Sequence, residues 1–171
     1  KIIMGLNDPR VSLLNIGEEE TKGLENIQEA SKILIKLKKI LNYYGFVEGD
    51  QITNGLVDVI VTDGFTGNVA LKTVEGTAKM LAHMVKSSFK SSPLAYIGLP
   101  FIIPALRKLK SRMDPRMYNG GMFMGLRGLC VKSHGGADAV AFANAIEVAA
   151  NLAQKNFNAH PTIRKIFENK K

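Results

Sequence analysis

The stretch Val57-Asp58-Val59-Ile60-Val61-Thr62-Asp63-Gly64-Phe65-Thr66-Gly67-Asn68 decides the fold. It opens as an apolar, β-branched run and breaks at an acid followed by glycine. A second glycine and an asparagine then lead into a long helical pattern. A Val/Ile run with so few polar interruptions predicts a strand buried on both faces, as in a parallel sheet. A strand that turns sharply into a helix delivers its C-terminal loop to the crevice where α/β proteins bind ligands. Gly64 and Gly67 let backbone come close to a ligand, and the helix start offers unpaired N–H groups to an anion.

Working outward, residues 10–16 (RVSLLNI) read as a buried strand that follows Asp8-Pro9 and runs into the glycine loop 15–23. A helix is predicted next, with Ile27, Ala30, Leu34, Leu37 and Leu41 at three- and four-residue spacing. Residues 42–47 (NYYGFV) give a second strand, and 49–55 a short polar link with one helical turn. Downstream, Ala70, Val74, Ala78, Leu81, Val85 and Phe89 form a stripe about six turns long, unusual for a globular helix. Pro93 marks a break. The apolar segment 94–106 carries Pro100 and Pro104, and a basic helical segment, 107–112, stops at Asp114-Pro115. Residues 118–121 are a turn, and 129–132 a last strand ending in Ser133-His134-Gly135-Gly136. A small-residue helix from Ala137 to about Phe157 follows, with Ala141, Ala145, Val148 and Leu152 on one face, and then a short terminal helix from Pro161. Strand, glycine loop and helix thus occur three times, which predicts an α/β architecture with a mostly parallel sheet.

The 171 residues suffice for a domain with a real core, and 46% hydrophobic with 22% charged residues is ordinary globular composition. The single cysteine, Cys130, lies in an apolar run and excludes an internal disulfide; burial in a reducing compartment is expected for it. No signal-peptide pattern is present, and no apolar run reaches the roughly 18 residues of a spanning helix. The net charge of +8 is local: Lys86, Lys90, Arg107, Lys108, Lys110, Arg112 and Arg116 face one acid, Asp114, so this window holds +6 of it. These cations adjoin an apolar run without the polar or aromatic spacing that stacks bases, which argues against nucleic acid.

Three loops stand where a parallel sheet puts its ligand: 15–23 (NIGEEETKG), 63–68 (DGFTGN) and 133–136 (SHGG). None matches the dinucleotide or P-loop glycine pattern. Asn15, Gly17, Glu18, Asp63, Gly64, Gly67, Lys72 and Gly135 are the candidate substrate-binding residues. Lys22 and Lys72 offer ammonium groups, Asn68 an amide donor, and His134 a proton donor or acceptor near neutral pH. Plainer readings compete. The acids 18–20 suit a helix start through its dipole, and Asp63 suits a turn that bonds its own backbone. No His/Cys/Asp spacing supports a metal site, and no cofactor is expected.

NIGEEETKG (15–23), VIVTDGFTGNVALKTVEGTAKM (59–80) and KSHGGADAVAFANAIE (132–147), in that order, resemble the bacterial phosphate acyltransferase of phospholipid synthesis, the PlsX family. The resemblance covers residues 10–147 and implies an enzyme that moves a fatty acyl group from acyl carrier protein to inorganic phosphate. A membrane-embedded glycerol-3-phosphate acyltransferase consumes the acyl phosphate. It implies a three-layer α/β/α sandwich similar to phosphotransacetylases and isopropylmalate dehydrogenases, usually dimeric, with a protruding long helical hairpin at about 68–115. The family's chains run to roughly twice this length, so residues 1–171 read as its C-terminal half, cytoplasmic and peripherally associated with the inner face of the membrane.

Phosphate is already anionic, so its attack on a thioester needs the anion held beside the carbonyl and charge stabilised on the oxyanion more than it needs a base. This casts Lys22, Asn68 and His134 as catalytic, with Lys72 supplying field. In the segment 94–112, Leu99, Phe101, Ile102 and Ile103 would dip into a membrane while Arg107 and Lys108, with Lys110 and Arg112, meet anionic head groups. The same patch could instead receive the acidic carrier protein, and a hairpin in a dimer interface is the structural alternative. Two other functions compete: a non-catalytic membrane-binding or dimerising fragment, and a phosphotransacetylase-like enzyme for small acyl thioesters.

Overall fold

A computed structural model describes residues 5–91, 93–112, 114–126, 128–155 and 157; side chains at 93–97, 99 and 110 lie outside the description. The terminal helix expected from Pro161 falls outside it too. The chain divides into two compact units, one up to residue 92 and one from residue 93.

Unit 1 is built on a parallel sheet of β1 (Val11–Leu14), β2 (Tyr43–Val47) and β3 (Val59–Val61), in the order β2-β1-β3. Ser12, Leu13 and Leu14 are buried on the central strand β1. Helix α1 (Glu25–Lys36) crosses from β1 to β2 and packs Ile27, Ala30 and Leu34 against Leu13, Tyr43 and Phe46. The predicted spacing therefore names the packed face, but the helix ends at Lys36; Leu37 caps it and Leu41 packs from the loop beyond. Two polar contacts are kept inside this apolar centre. The Tyr43 hydroxyl donates to Ser31 Oγ (2.8 Å), and burial pushes the phenol above its ordinary pKa. Ser12 Oγ donates to the Gly45 carbonyl (2.7 Å), serving a backbone group at the point where β2 bulges.

The stretch read as a strand buried on both faces is at an edge of the described sheet. Val59 and Ile60 are half-buried and Val61 is 47% exposed, so the expected burial on both faces is not found. An apolar run specifies a strand; it does not specify how many neighbours that strand has. Its start is pinned to β1: Asp58 accepts from the Arg10 backbone N–H (2.7 Å) and guanidinium (3.4 Å), and the Arg10 N–H bond is the chief cause holding its carboxyl below the usual range. From β3 the chain enters α2 (Gly64–Ser91), 28 residues long, on which no residue is buried.

Unit 2 begins with α3 (Pro93–Arg112), which carries Pro100 and Pro104 inside it, so the apolar and basic segments form one helix. α2 and α3 belong to different units, and the hairpin expected at about 68–115 is described only helix by helix. A 3₁₀ turn (Pro115–Tyr118) leads to the antiparallel pair β4 (Gly121–Met122) and β5 (Val131–Lys132), and then to α4 (Ala139–Gln154). The third strand-loop-helix unit thus has an antiparallel partner, not a place in the parallel sheet. The predicted face of α4 is buried at Ala141, Ala145 and Leu152, and Phe157 is buried beyond it. Cys130 is exposed, against expectation; it precedes β5, and its carbonyl accepts the Phe123 N–H (2.9 Å).

Candidate functional site

In a parallel sheet every strand ends at the same edge, so residues 15–23, 48–51 and 62–68, which follow β1, β2 and β3, leave unit 1 on one side. The loop after β1 is braced from within. Asn15 is buried; its backbone N–H donates to the Val47 carbonyl (2.9 Å) and its Nδ2 to the Lys22 carbonyl (3.1 Å). Its Oδ1 has no hydrogen-bond partner and lies against Gly23, where an added Cβ would collide with it. Gly23 also has φ +84°, so both backbone and space demand glycine. A Cβ on Gly17 would stand 2.7 Å from Glu19 Oε2 and 2.9 Å from Lys22 Cγ. The bare Cα of Gly17 therefore gives the Lys22 stem room to fold back over the loop, and Lys22 itself is exposed.

Glu18 is drawn elsewhere: its Oε1 accepts from Gln51 Nε2 (2.5 Å). Gln51 belongs to the 3₁₀ turn Gly49–Gln51, where its Oε1 accepts the Glu48 N–H (2.8 Å) in a reciprocal capping box. Sequence reading passed over Gln51, although a capping acid three residues before a glutamine is a legible signal.

Residues 64–68, expected as a loop, are the first turn of α2. Asp63 Oδ1 accepts the N–H groups of Phe65 and Thr66, each at 2.9 Å. Thr66, through side chain and then backbone, is the chief cause that lowers the Asp63 pKa. The plain reading of Asp63 is thus realised, and two helix-start donors are already engaged by a carboxylate. Gly67 faces Thr62, whose Cγ2 would lie 2.6 Å from a Cβ, whereas Gly64 has open space beside it. Asn68 is exposed on this turn. Lys72 pairs with Glu75 (2.8 Å), which offsets the field expected of it.

In unit 2 the loop after β5 is organised by a residue read only as part of a turn. Asn119 is buried and fully engaged: Nδ2 donates to Ser133 Oγ (2.8 Å) and the Ala141 carbonyl (2.7 Å), and Oδ1 accepts the His134 N–H (2.9 Å). His134 Nδ1 accepts the Gly136 N–H (3.1 Å), so its neutral form carries the proton on Nε2, on an exposed ring. A Cβ on Gly135 would meet open space. Asp138 caps α4 by accepting the Ala141 N–H (2.9 Å) and takes Arg116 Nη1 (3.2 Å). These two contacts, the backbone one first, hold its carboxyl below the usual range. Arg116 is also forked onto Asp114 (Nη2–Oδ2 2.6 Å), and its pKa is raised by that pair. It therefore leaves the free basic patch, in which Arg107, Lys108 and Arg112 stay exposed.

Among the described residues no group of His, Cys, Asp and Glu could hold a metal ion, and no helix is long and apolar enough to cross a membrane. On α3, Phe101 is 86% and Ile102 40% exposed, and Ile103 is half-buried; the Leu99 side chain lies outside the described residues.

Parallel strands, with the Lys22 loop and a helix start after their C-terminal ends, define an α/β protein. Residues 1–160 match the family described as fatty acid synthesis protein, and the chain belongs to that family. It is 56% identical over 158 residues to a phosphate acyltransferase of Rhodospirillum centenum, covering 92% of this chain and 44% of that protein. A phosphate acyltransferase of Paramagnetospirillum magneticum is 49% identical over 168 residues, 98% of this chain and 47% of that one. One of Caulobacter vibrioides is 51% identical over 157 residues, 92% and 44%. The chain thus spans a little under half the length of these relatives.

Proposed function

We propose that this chain carries one part of the machinery that transfers a fatty acyl group from acyl carrier protein to inorganic phosphate, giving acyl phosphate for phospholipid synthesis. The observation that carries the reading is the common edge of β1 and β3, which sets the Lys22 loop and the Asn68 turn after neighbouring parallel strands in a chain related to phosphate acyltransferases. Lys22 would hold the phosphate near Asn15, Gly17 and Glu18. One phosphate oxygen attacks the thioester carbon, Asn68 Nδ2–H meets the developing oxyanion, and the C–S bond breaks to release the carrier thiolate. Since Asp63 occupies the Phe65 and Thr66 N–H groups, the charge on phosphate falls to Lys22 more than to the helix start. Gly64 leaves open space there, while Gly67 lets the helix start pack against Thr62. His134, in the other unit, presents an Nε2–H suited to an acyl oxygen, with Gly135 beside it leaving space.

The membrane role belongs to α3. Exposed Phe101 and Ile102, with Ile103 and Leu99, precede exposed Arg107 and Lys108 along one helix, so an apolar cluster lies ahead of the cations, among which Leu109 is also exposed. That order fits an oblique tip that enters a lipid surface while its base meets head groups. A cytoplasmic, peripheral, dimeric enzyme that hands its product to a glycerol-3-phosphate acyltransferase is the setting this implies, with the three-layer sandwich and helical hairpin as its architecture.

The test is acyl phosphate formation from acyl carrier protein thioester and phosphate. This chain would be assayed alone and together with the unmatched portion of the Rhodospirillum centenum relative. Turnover in either case supports the reading; Lys22→Ala and Asn68→Ala should then each lower kcat about 100-fold. Turnover of Asn68→Ala within twofold of the parent would remove its role, and silence in both mixtures would leave only the membrane function. In flotation with anionic vesicles, Phe101→Asp with Ile102→Asp should release the chain from lipid.

A further inference from the structure

The loop after β1 carries one cation suited to an anion and three acids placed to take it first. Glu18, Glu19 and Glu20 stand within four residues of Lys22, and all four side chains are exposed. The Lys22 N–H donates to the Glu19 carbonyl (3.0 Å), closing a turn that brings the lysine stem back over Gly17. Glu19 Oε2 borders the same Gly17 Cα. Opposite charges this close attract. Yet among the described residues Lys22 has no ion-pair partner.

Glu18, the acid next to Gly17, is taken up by the turn after β2, where Gln51 Nε2 donates to its Oε1 (2.5 Å). Gln51 is itself fixed from two sides. Its Oε1 accepts the Glu48 N–H (2.8 Å), and its own N–H donates to the Glu48 carbonyl (3.1 Å) within the capping box. The two loops are also joined at their base, where the Asn15 N–H donates to the Val47 carbonyl (2.9 Å). A neutral amide suits this task. Its N–H makes a charge-assisted bond to the carboxylate, and it brings no charge of its own, whereas a lysine or arginine there would draw the anion to itself. We propose that Gln51 is a positioning residue for Lys22: by tethering the Glu18 carboxylate it keeps the ammonium unpaired and available to phosphate. This rests on the reading that Lys22 holds phosphate. Without the tether Glu18 folds onto Lys22, and the anion must displace a carboxylate before it binds.

The 171-residue chain is acetylated with limiting acetic anhydride, with and without inorganic phosphate, and the rate at Lys22 is read by mass spectrometry. A paired ammonium keeps its proton and is acetylated more slowly. Without phosphate, Gln51→Ala should slow Lys22 about threefold, the scale of one exposed ion pair, and adding Glu18→Gln should restore the parent rate. In the parent background Glu18→Gln should do far less, because Gln51 already holds that carboxylate. A loop that has merely loosened is not restored by Glu18→Gln. An unchanged or faster rate in Gln51→Ala would overturn the proposal, and so would slowing that Glu18→Gln fails to reverse. If Gln51→Ala loses its parent circular dichroism, Gln51→Glu decides instead. It keeps the acceptor for the Glu48 N–H and loses the donor, and adding Glu18→Gln re-forms the hydrogen bond in reverse and should restore the rate. Protection of the parent Lys22 by phosphate tests the phosphate reading separately. Its absence would sink that reading, while the rates without phosphate still decide whether Gln51 holds Glu18 off the ammonium.

Discussion

In unit 1 the centre is apolar: Leu13, Tyr43 and Phe46 meet one face of α1, and the backbone ladder of three strands does the joining. In unit 2 the centre is polar. Asn119 ties the end of the 3₁₀ turn to the loop after β5 and to α4, while Arg116 ties Asp114 to the cap of α4. Among the described residues, the buried apolar groups there are Ala141, Ala145, Leu152 and Phe157. An apolar centre loses stability in proportion to the volume removed. A polar centre fails through geometry, since each lost partner leaves other groups buried without one. The two units should therefore respond differently to equally small chemical changes.

Four substitutions or conditions probe that contrast, from the largest effect to the smallest. Phe46→Ala should cost about 4 kcal/mol in urea unfolding followed on unit 1. Asn119→Ala removes far fewer atoms yet should cost about 3 kcal/mol, because Ser133 Oγ, the Ala141 carbonyl and the His134 N–H lose their partner. Amide exchange should place that loss in unit 2, and an equal loss in unit 1 would break the comparison. Gly120→Ala should cost about 2 kcal/mol: φ is +118°, and a Cβ would lie 3.1 Å from Ala145 Cα and 3.2 Å from Val148. The smallest effect is that of acid. Asp138 has a lowered folded pKa, so its contribution is whole above the unfolded value of about 4 and is lost as pH falls through the folded one. A melting series from pH 6 to pH 3 should show unit 2 of the parent losing stability below about pH 4. Asp138→Ala should start lower and lose less over that range.

Much of this was legible in the residues. The three- and four-residue spacing gives α1 and α4 with their packed faces, and the short apolar and aromatic runs give β1, β2 and β3. The order of those strands was not, because β1 and β3 have similar apolar runs and only pairing decides which is central. Residues 64–68 read as a loop because two glycines weaken a helix, yet Asp63 caps the turn and carries it through. Pro100 and Pro104, carried by the apolar segment 94–106, lie inside α3, which runs on through the basic segment. Of the candidate site, the sequence located Lys22 and Asn68 by the strands they follow. It said nothing of Gln51 holding Glu18, or of Asn119 behind His134, since both depend on partners 33 and 15 residues away.

α2 runs without a break from Gly64 to Ser91. At 1.5 Å per residue, Asn68 and Phe89 stand about 30 Å apart along its axis, close to the thickness of a bilayer's hydrocarbon core. The helix is thus a spacer as much as a scaffold. Whatever touches its first turn and whatever touches its last are kept out of each other's reach. Lengthening or shortening α2 by whole turns would change the distance between its two ends without altering the groups at its foot.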